Sequence, residues 1–257
     1  MQLTFLGTGD SMGTPRVYCD CGVCGEARTG GLNRRLRSSL LLEERGERPL
    51  LLDCGPDWRG QMEAAHLRGL SQALITHAHF DHIGGLTEWA DACRWREERG
   101  ELYAPKEVIR EIAARFPWIG GQLAMTPNDE GMNYGEWRIT PWRVNHGKNG
   151  YAYAYRFESR EDGRAWAYCS DSIHLDAKQK APLGGLSLLV LGTSFVVENY
   201  PVETRSVYDM REGLELVREV KAERAVFTHL SHDVDVRADY ALPVNVTLAL
   251  TGMTASV

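Results

Sequence analysis

Three histidines and an aspartate fall within six residues of "ITHAHFDHIGG": His77, His79, Asp81 and His82. The apolar run Ala73, Leu74, Ile75 before them reads as a buried strand, so the cluster lies where a strand ends. Loops at strand ends are where an α/β scaffold carries its chemistry. Side chains alternate along extended backbone, so His77 and His79 project to the same side. Asp81 and His82 then sit on a turn toward a helix beginning near Leu86, with Gly84 and Gly85 permitting close backbone approach. Imidazoles and a carboxylate meeting at one point suit zinc, manganese or iron.

One such cluster cannot fill two metal shells, and further donors stand at the ends of other strand-like runs. "RVNHGK" supplies His146, "AYCSDS" supplies Asp171, and "AVFTHLSHD" supplies His229 and His232. Seven of these residues could form a dinuclear centre. His77, His79 and His146 would hold one cation, Asp81, His82 and His229 the other, and Asp171 would bridge them.

A second constellation is "VYCDCGVCGE", with Cys19, Cys21 and Cys24. Thiols two and three positions apart are poorly placed to pair as disulfides, whereas one cation can take all three. A tetrahedral site then needs a fourth donor from elsewhere. Cys54, Cys93 and Cys169 show no such spacing and read as small buried apolar residues.

The elements that must carry these groups are short. "LTFLG", "SSLLLEE", "PLLLDCG", "QALITHAH", "GYAYAYRFE" and "GRAWAYCSD" read as strands. "LTEWADACRWREERG", "PKEVIREIAARFP" and "DMREGLELVREVKAE" read as amphipathic helices. The mixture is α/β. No repeat or linker divides residues 1–257, which read as a single domain. The segment from Trp89 to Tyr134 reads as a surface helix pair with a turn. "NRRLR" (Asn33 to Arg37) is the densest basic cluster and reads as a solvated loop. With 43% hydrophobic and 25% charged residues the composition is that of a globular protein. No segment is apolar for long enough to span a bilayer. "MQLTFLGTGD" lacks a basic leader region and reads as a first strand, which places the chain in the cytoplasm with reduced thiols. A net charge of −6 speaks against a broad nucleic-acid-gripping face.

On "LGTG", "LLLDCGPD", "THAHFDH", His146, Asp171 and "THLSH", the whole chain resembles the metallo-β-lactamase superfamily. The resemblance implies a four-layer αββα sandwich with two divalent metals (zinc or manganese, with iron as an alternative) at one edge of two sheets. Within it, the cysteine insert, "NHGK" and the tail "ALPVNVTLALTGM" are similar to the PhnP-type phosphodiesterase of the carbon–phosphorus lyase pathway. In the tail, Thr251 stands where that type has an aspartate. That type binds a structural zinc through three cysteines and the second histidine of T-H-x-S-H. The resemblance therefore implies Cys19, Cys21, Cys24 and His232 as a Cys3His site.

The activity this implies is hydrolysis of a small phosphodiester, cyclic or open, by a hydroxide shared between two metals, with Asp81 and Asp171 holding the cations close together. Lys148 is the candidate contact to a substrate phosphate. A histidine before the last helix is the family's usual proton donor, and Val207 occupies that position. Tyr208 and His174 are the substitutes this chain offers. Alternatives on the same fold are a thioester or lactone hydrolase, a transfer-RNA 3′ processing nuclease, and a cofactor-biosynthesis protein of the pyrroloquinoline quinone type. The expected partners are the phosphodiester and, at most, a second copy in a homodimer; neither membrane nor nucleic acid is expected.

Overall fold

A computed structural model describes all 257 residues. Short apolar runs, several of them buried on both faces, build two seven-stranded sheets. The first contains β1 (Gln2–Gly7), β2 (Ser39–Glu43), β3 (Leu50–Leu52), β4 (Gln72–Leu74), β5 (Gly100–Ala104) and β6 (Leu123–Pro127) in that order. The second contains β7 (Met132–Tyr134), β8 (Trp137–Asn145), β9 (Tyr151–Ser159), β10 (Ala165–Cys169), β11 (Leu188–Gly192), β12 (Ala225–Thr228) and β13 (Val246–Leu248). The final strand, β14 (Thr254–Ser256), returns to pair antiparallel with β1. Both sheets are mixed: β3 to β6 run parallel, as do β10 to β13.

Alternation assigns each strand residue to a layer. In β10, Trp166 and Tyr168 enter the core between the sheets, while Ala165, Ala167 and Cys169 face the opposite side. In β3, Leu50 and Leu52 face the second sheet and Leu51 faces outward. The helices cover these outer faces. On the first sheet lie α2 (Trp58–Ala64), α4 (Leu86–Trp95) and α5 (Lys106–Arg115), through Trp58, Met62, Trp89, Val108 and Ile112. On the second lies α7 (Met210–Val220), through Met210, Leu216 and Val217. The result is the αββα sandwich. The remaining helices are α1 (Gly22–Arg28) in the cysteine insert, α3 (Phe80–Ile83) within the histidine motif, and the short α6 (Ala177–Lys180).

The segment from Trp89 to Tyr134 holds the expected helix pair, α4 and α5, but it is not only surface. Strands β5 and β6 extend the first sheet within it, and Trp89 is fully buried with its indole N–H donating to Leu70 O. No helix is long and apolar enough to cross a membrane.

Candidate metal centre

The parallel strands leave their C-terminal ends on one edge of the sandwich, the side on which open α/β sheets bind ligands. His77 and His79 follow β4, His146 follows β8, Asp171 follows β10 and His229 follows β12; α3 carries Asp81 and His82. The backbone there is tight. A Cβ at Gly192, the last residue of β11, would lie 1.7 Å from Ser170 O, so only glycine lets β11 pass this close to the Asp171 loop. Gly147, at φ +55, lets the turn after His146 press against the Arg205 carbonyl.

The seven side chains converge. His77 Nε2 is 2.8 Å from His79 Nδ1. The donor atoms of His77, His79 and His146 lie within 4.8 Å of one another, and so do those of Asp81, His82 and His229. Asp171 touches both groups: Oδ1 is 3.7 Å from His146 Nε2 and 3.3 Å from His229 Nε2, and Oδ2 is 3.2 Å from His82 Nε2. Yet His82 Nε2, His229 Nε2 and Asp171 Oδ2 are buried without a hydrogen-bond partner. Buried polar atoms are normally satisfied. Orphaned donor atoms of His82, His229 and Asp171, with further imidazole and carboxylate donors within 4.8 Å, fit a divalent cation.

The outward nitrogens are held. His77 Nδ1 is 3.0 Å from Thr76 Oγ1, His82 Nδ1 is 2.7 Å from Asp53 Oδ2, His146 Nδ1 is 2.8 Å from Ser206 O and His229 Nδ1 is 3.2 Å from Ser194 Oγ. Such partners fix ring orientation and leave Nε2 for the centre. Asp53 sits at φ +60 after β3, and its Oδ1 also accepts the Thr76 N–H and hydroxyl. Its signal in the sequence was "LLLDCG", an aspartate at a strand end.

Burial opposes charge on all these groups, but their mutual fields prevail at four of them. Burial works against protonated His82, yet Asp81, Asp53 and Asp171 hold its pKa well above the ordinary value. Against the same penalty, Asp171 and Asp81 raise His229 to about 9. His229 and His82 outweigh burial at Asp171, and His82 and His229 do so at Asp81, keeping both carboxyls well below their usual range. Burial lowers His77, His79 and His146.

The centre opens into a cavity of about 520 Å³ that His79, Asp81, His146, Asp171 and His229 line together with Lys148 and Val207. Lys148 is exposed, at the cavity wall. Neither expected substitute donor is there. The Tyr208 hydroxyl turns the other way and accepts the Leu175 N–H at 2.9 Å, and burial pushes its phenol above its ordinary pKa. His174 is exposed and lines, with Tyr208, a separate hollow among Glu212, Glu215 and Glu219. Val207 lies in a bend before α7, and its neighbour Tyr208 forms a single bridge with Thr193 that carries its ring to the other hollow.

The cysteine set also comes together. Sγ of Cys21 and of Cys24 lie 3.6 and 3.4 Å from His232 Nδ1, and Cys19 completes a group within 4.8 Å. Cys21 is the N-cap of α1 and accepts the Cys24 N–H, which lowers its thiol pKa, while burial raises that of Cys24. Three thiols and an imidazole are a donor set that fits tetrahedral zinc. "NRRLR" is not a solvated loop. Asn33 and Arg35 are buried, and Arg35 donates to Ser231 O and Val234 O on either side of His232 and Asp233. Asn33 bonds Asp235. A buried guanidinium with backbone acceptors thus anchors the loop bearing His232, and neither charge density nor spacing reveals it.

Residues 48–230 match the family described as the beta-lactamase superfamily domain. The chain belongs to that superfamily. It is similar to an octanoyltransferase of Porphyromonas gingivalis, 27% identical over 268 residues that cover 99% of this chain and 51% of the relative. The chain thus spans about half the length of the curated relatives it matches. Among solved structures it resembles a diphosphatase from the PhnP family, with 28% identity, TM-score 0.86, and coverage of 100% of this chain and 97% of that one. Zn(2+)-bound PqqB from Methylobacterium extorquens, 19% identical with TM-score 0.82 over the full length of both chains, shares the fold. This beta-lactamase superfamily chain therefore combines a hydrolase fold with a donor set suited to divalent metals.

Two outcomes follow from the site. A histidine whose folded pKa is raised stabilises the fold below its unfolded value, about 6.5, and loses that contribution as pH rises through the folded value. After chelation, the melting temperature will therefore fall between about 6.5 and the pKa of about 9 at His229. The metal-loaded protein, whose imidazoles are deprotonated, will hold its melting temperature across that window. Separately, Cys21→Ser will remove one zinc per chain and lower the melting temperature; unchanged metal content would contradict a Cys3His assignment.

Proposed function

We propose that the chain hydrolyses a small phosphodiester or diphosphate whose leaving group needs no acid catalyst. Two divalent cations, zinc or manganese, would supply Lewis acidity and an activated water at the seven-residue centre, with a structural zinc at the cysteines. The chain's own groups do the rest. Asp81 and Asp171 neutralise cationic charge there, the anchored imidazoles fix the geometry, and Lys148 meets a phosphate oxygen at the cavity wall. No cysteine is paired in a disulfide, which suits a reducing compartment such as the cytoplasm.

The observation that carries the reading is Val207. It lines the cavity where a proton donor would stand, and Tyr208 and His174 are turned elsewhere. An alkoxide departs poorly without a proton. A phosphate leaving from a diphosphate is already a weak base, and the PhnP-family neighbour is named a diphosphatase.

The match to about half of an octanoyltransferase supports one second reading, hydrolysis of an acyl thioester. The cavity speaks against it, because only four of its nineteen lining residues are hydrophobic. Metal-reloaded protein, assayed on bis(p-nitrophenyl) phosphate beside p-nitrophenyl phosphate and an octanoyl thioester, separates the two. We expect turnover of the diester alone, at least a hundredfold weaker in His79→Ala. Thioester turnover without diester turnover would overturn the phosphodiesterase reading, as would no turnover with metals bound.

A further inference from the structure

Arg16 stands between the two donor clusters. Its backbone N–H donates to Cys24 Sγ at 3.4 Å, which ties it to the cysteine insert. Its side chain lines the main cavity, and also a neighbouring one bounded by His232 and Asp233. Phe195, Glu198 and Tyr200 line both cavities as well, so Arg16 lies on the way outward from the metal centre.

The guanidinium is held but not saturated. One nitrogen pairs with Asp10 Oδ2 at 2.5 Å, another donates to Tyr18 Oη at 3.2 Å, and Nε is buried with no acceptor. Asp10 is itself fixed: Oδ1 accepts the Met12 N–H, and its own N–H donates to Leu230 O, beside His229. Of the five N–H donors on a guanidinium, two are engaged and Nε is buried, which leaves one N–H on each terminal nitrogen to meet an anion beside the Asp10 pair.

The other charges of the cavity are accounted for. Asp81 and Asp171 belong to the centre, and Glu198 is paired with the buried Arg205 at 3.0 Å. The lining cations are then Lys148, from the turn between β8 and β9, and Arg16, from the segment between β1 and α1. One phosphorus group at the centre needs at most one of them.

We propose that Arg16 is a specificity-determining residue that binds a second phosphate of the substrate, beyond the one attacked. This rests on the phosphodiester and diphosphate reading above. Arginine suits the role because its planar fork matches phosphate oxygens.

The test uses metal-replete wild type, Arg16→Ala and Arg16→Lys, each with its metal content measured. Calorimetric titration with inorganic pyrophosphate and with inorganic phosphate reads binding without turnover. Arg16→Ala should weaken pyrophosphate tenfold or more and phosphate less than threefold, with partial recovery in Arg16→Lys. In kinetics, the ratio of kcat/KM for ADP-ribose, a pyrophosphate diester, to that for bis(p-nitrophenyl) phosphate should fall tenfold, chiefly through KM. Equal weakening of both anions, no weakening, or no pyrophosphate binding by wild type would overturn the assignment. Wild type that turns over neither ester but binds pyrophosphate through Arg16 would sink the catalytic reading and leave the anion site standing.

Discussion

The carboxylate of Asp171 is the constraint around which the molecule is arranged. It is buried, carries one oxygen without a hydrogen bond, and lies within 3.7 Å of His82, His146 and His229. An isolated carboxylate there would be prohibitively costly to ionise. His229 and His82, facing it, outweigh burial and hold its carboxyl well below the usual range. Divalent cations held by these side chains would supply the same compensating charge. The same residue thereby links stability, metal uptake and the proposed chemistry.

Holding Asp171 there recruits both sheets. β4 brings His77 and His79 from one, while β8, β10 and β12 bring His146, Asp171 and His229 from the other. Gly192 permits the close passage of β11. A buried ionic network braces the far wall. Arg205 bonds Glu198 and both carboxylate oxygens of Glu212, while its carbonyl accepts the Lys148 N–H. Its neighbour Ser206 accepts from His146. On the other side, the cysteine insert and buried Arg35 hold the loop that follows His229.

Much of this was legible in the sequence because local rules agree with the fold. Strands β1, β2, β3, β9 and β10 arise where short apolar runs or alternation are bounded by turn residues, and helices α4, α5 and α7 where amphipathic patterns are strong. The ligand types at strand ends were visible for the same reason. What escaped notice was decided by tertiary contacts. Asn33 and Arg35 look like solvated polar residues until Ser231, Val234 and Asp235 close over them. Asp53 shows in the sequence as an aspartate at a strand end, but only the fold brings it to His82, twenty-nine residues away. Tyr208 stands beside the right position, but its hydroxyl bonds the Leu175 N–H in another hollow.

Anomalous diffraction from crystals of the manganese-loaded protein tests the role of Asp171 most directly. The account predicts two adjacent peaks sharing that carboxylate, one against His77, His79 and His146 and the other against Asp81, His82 and His229. A single peak, or a pair that leaves Asp171 uncoordinated, would contradict it.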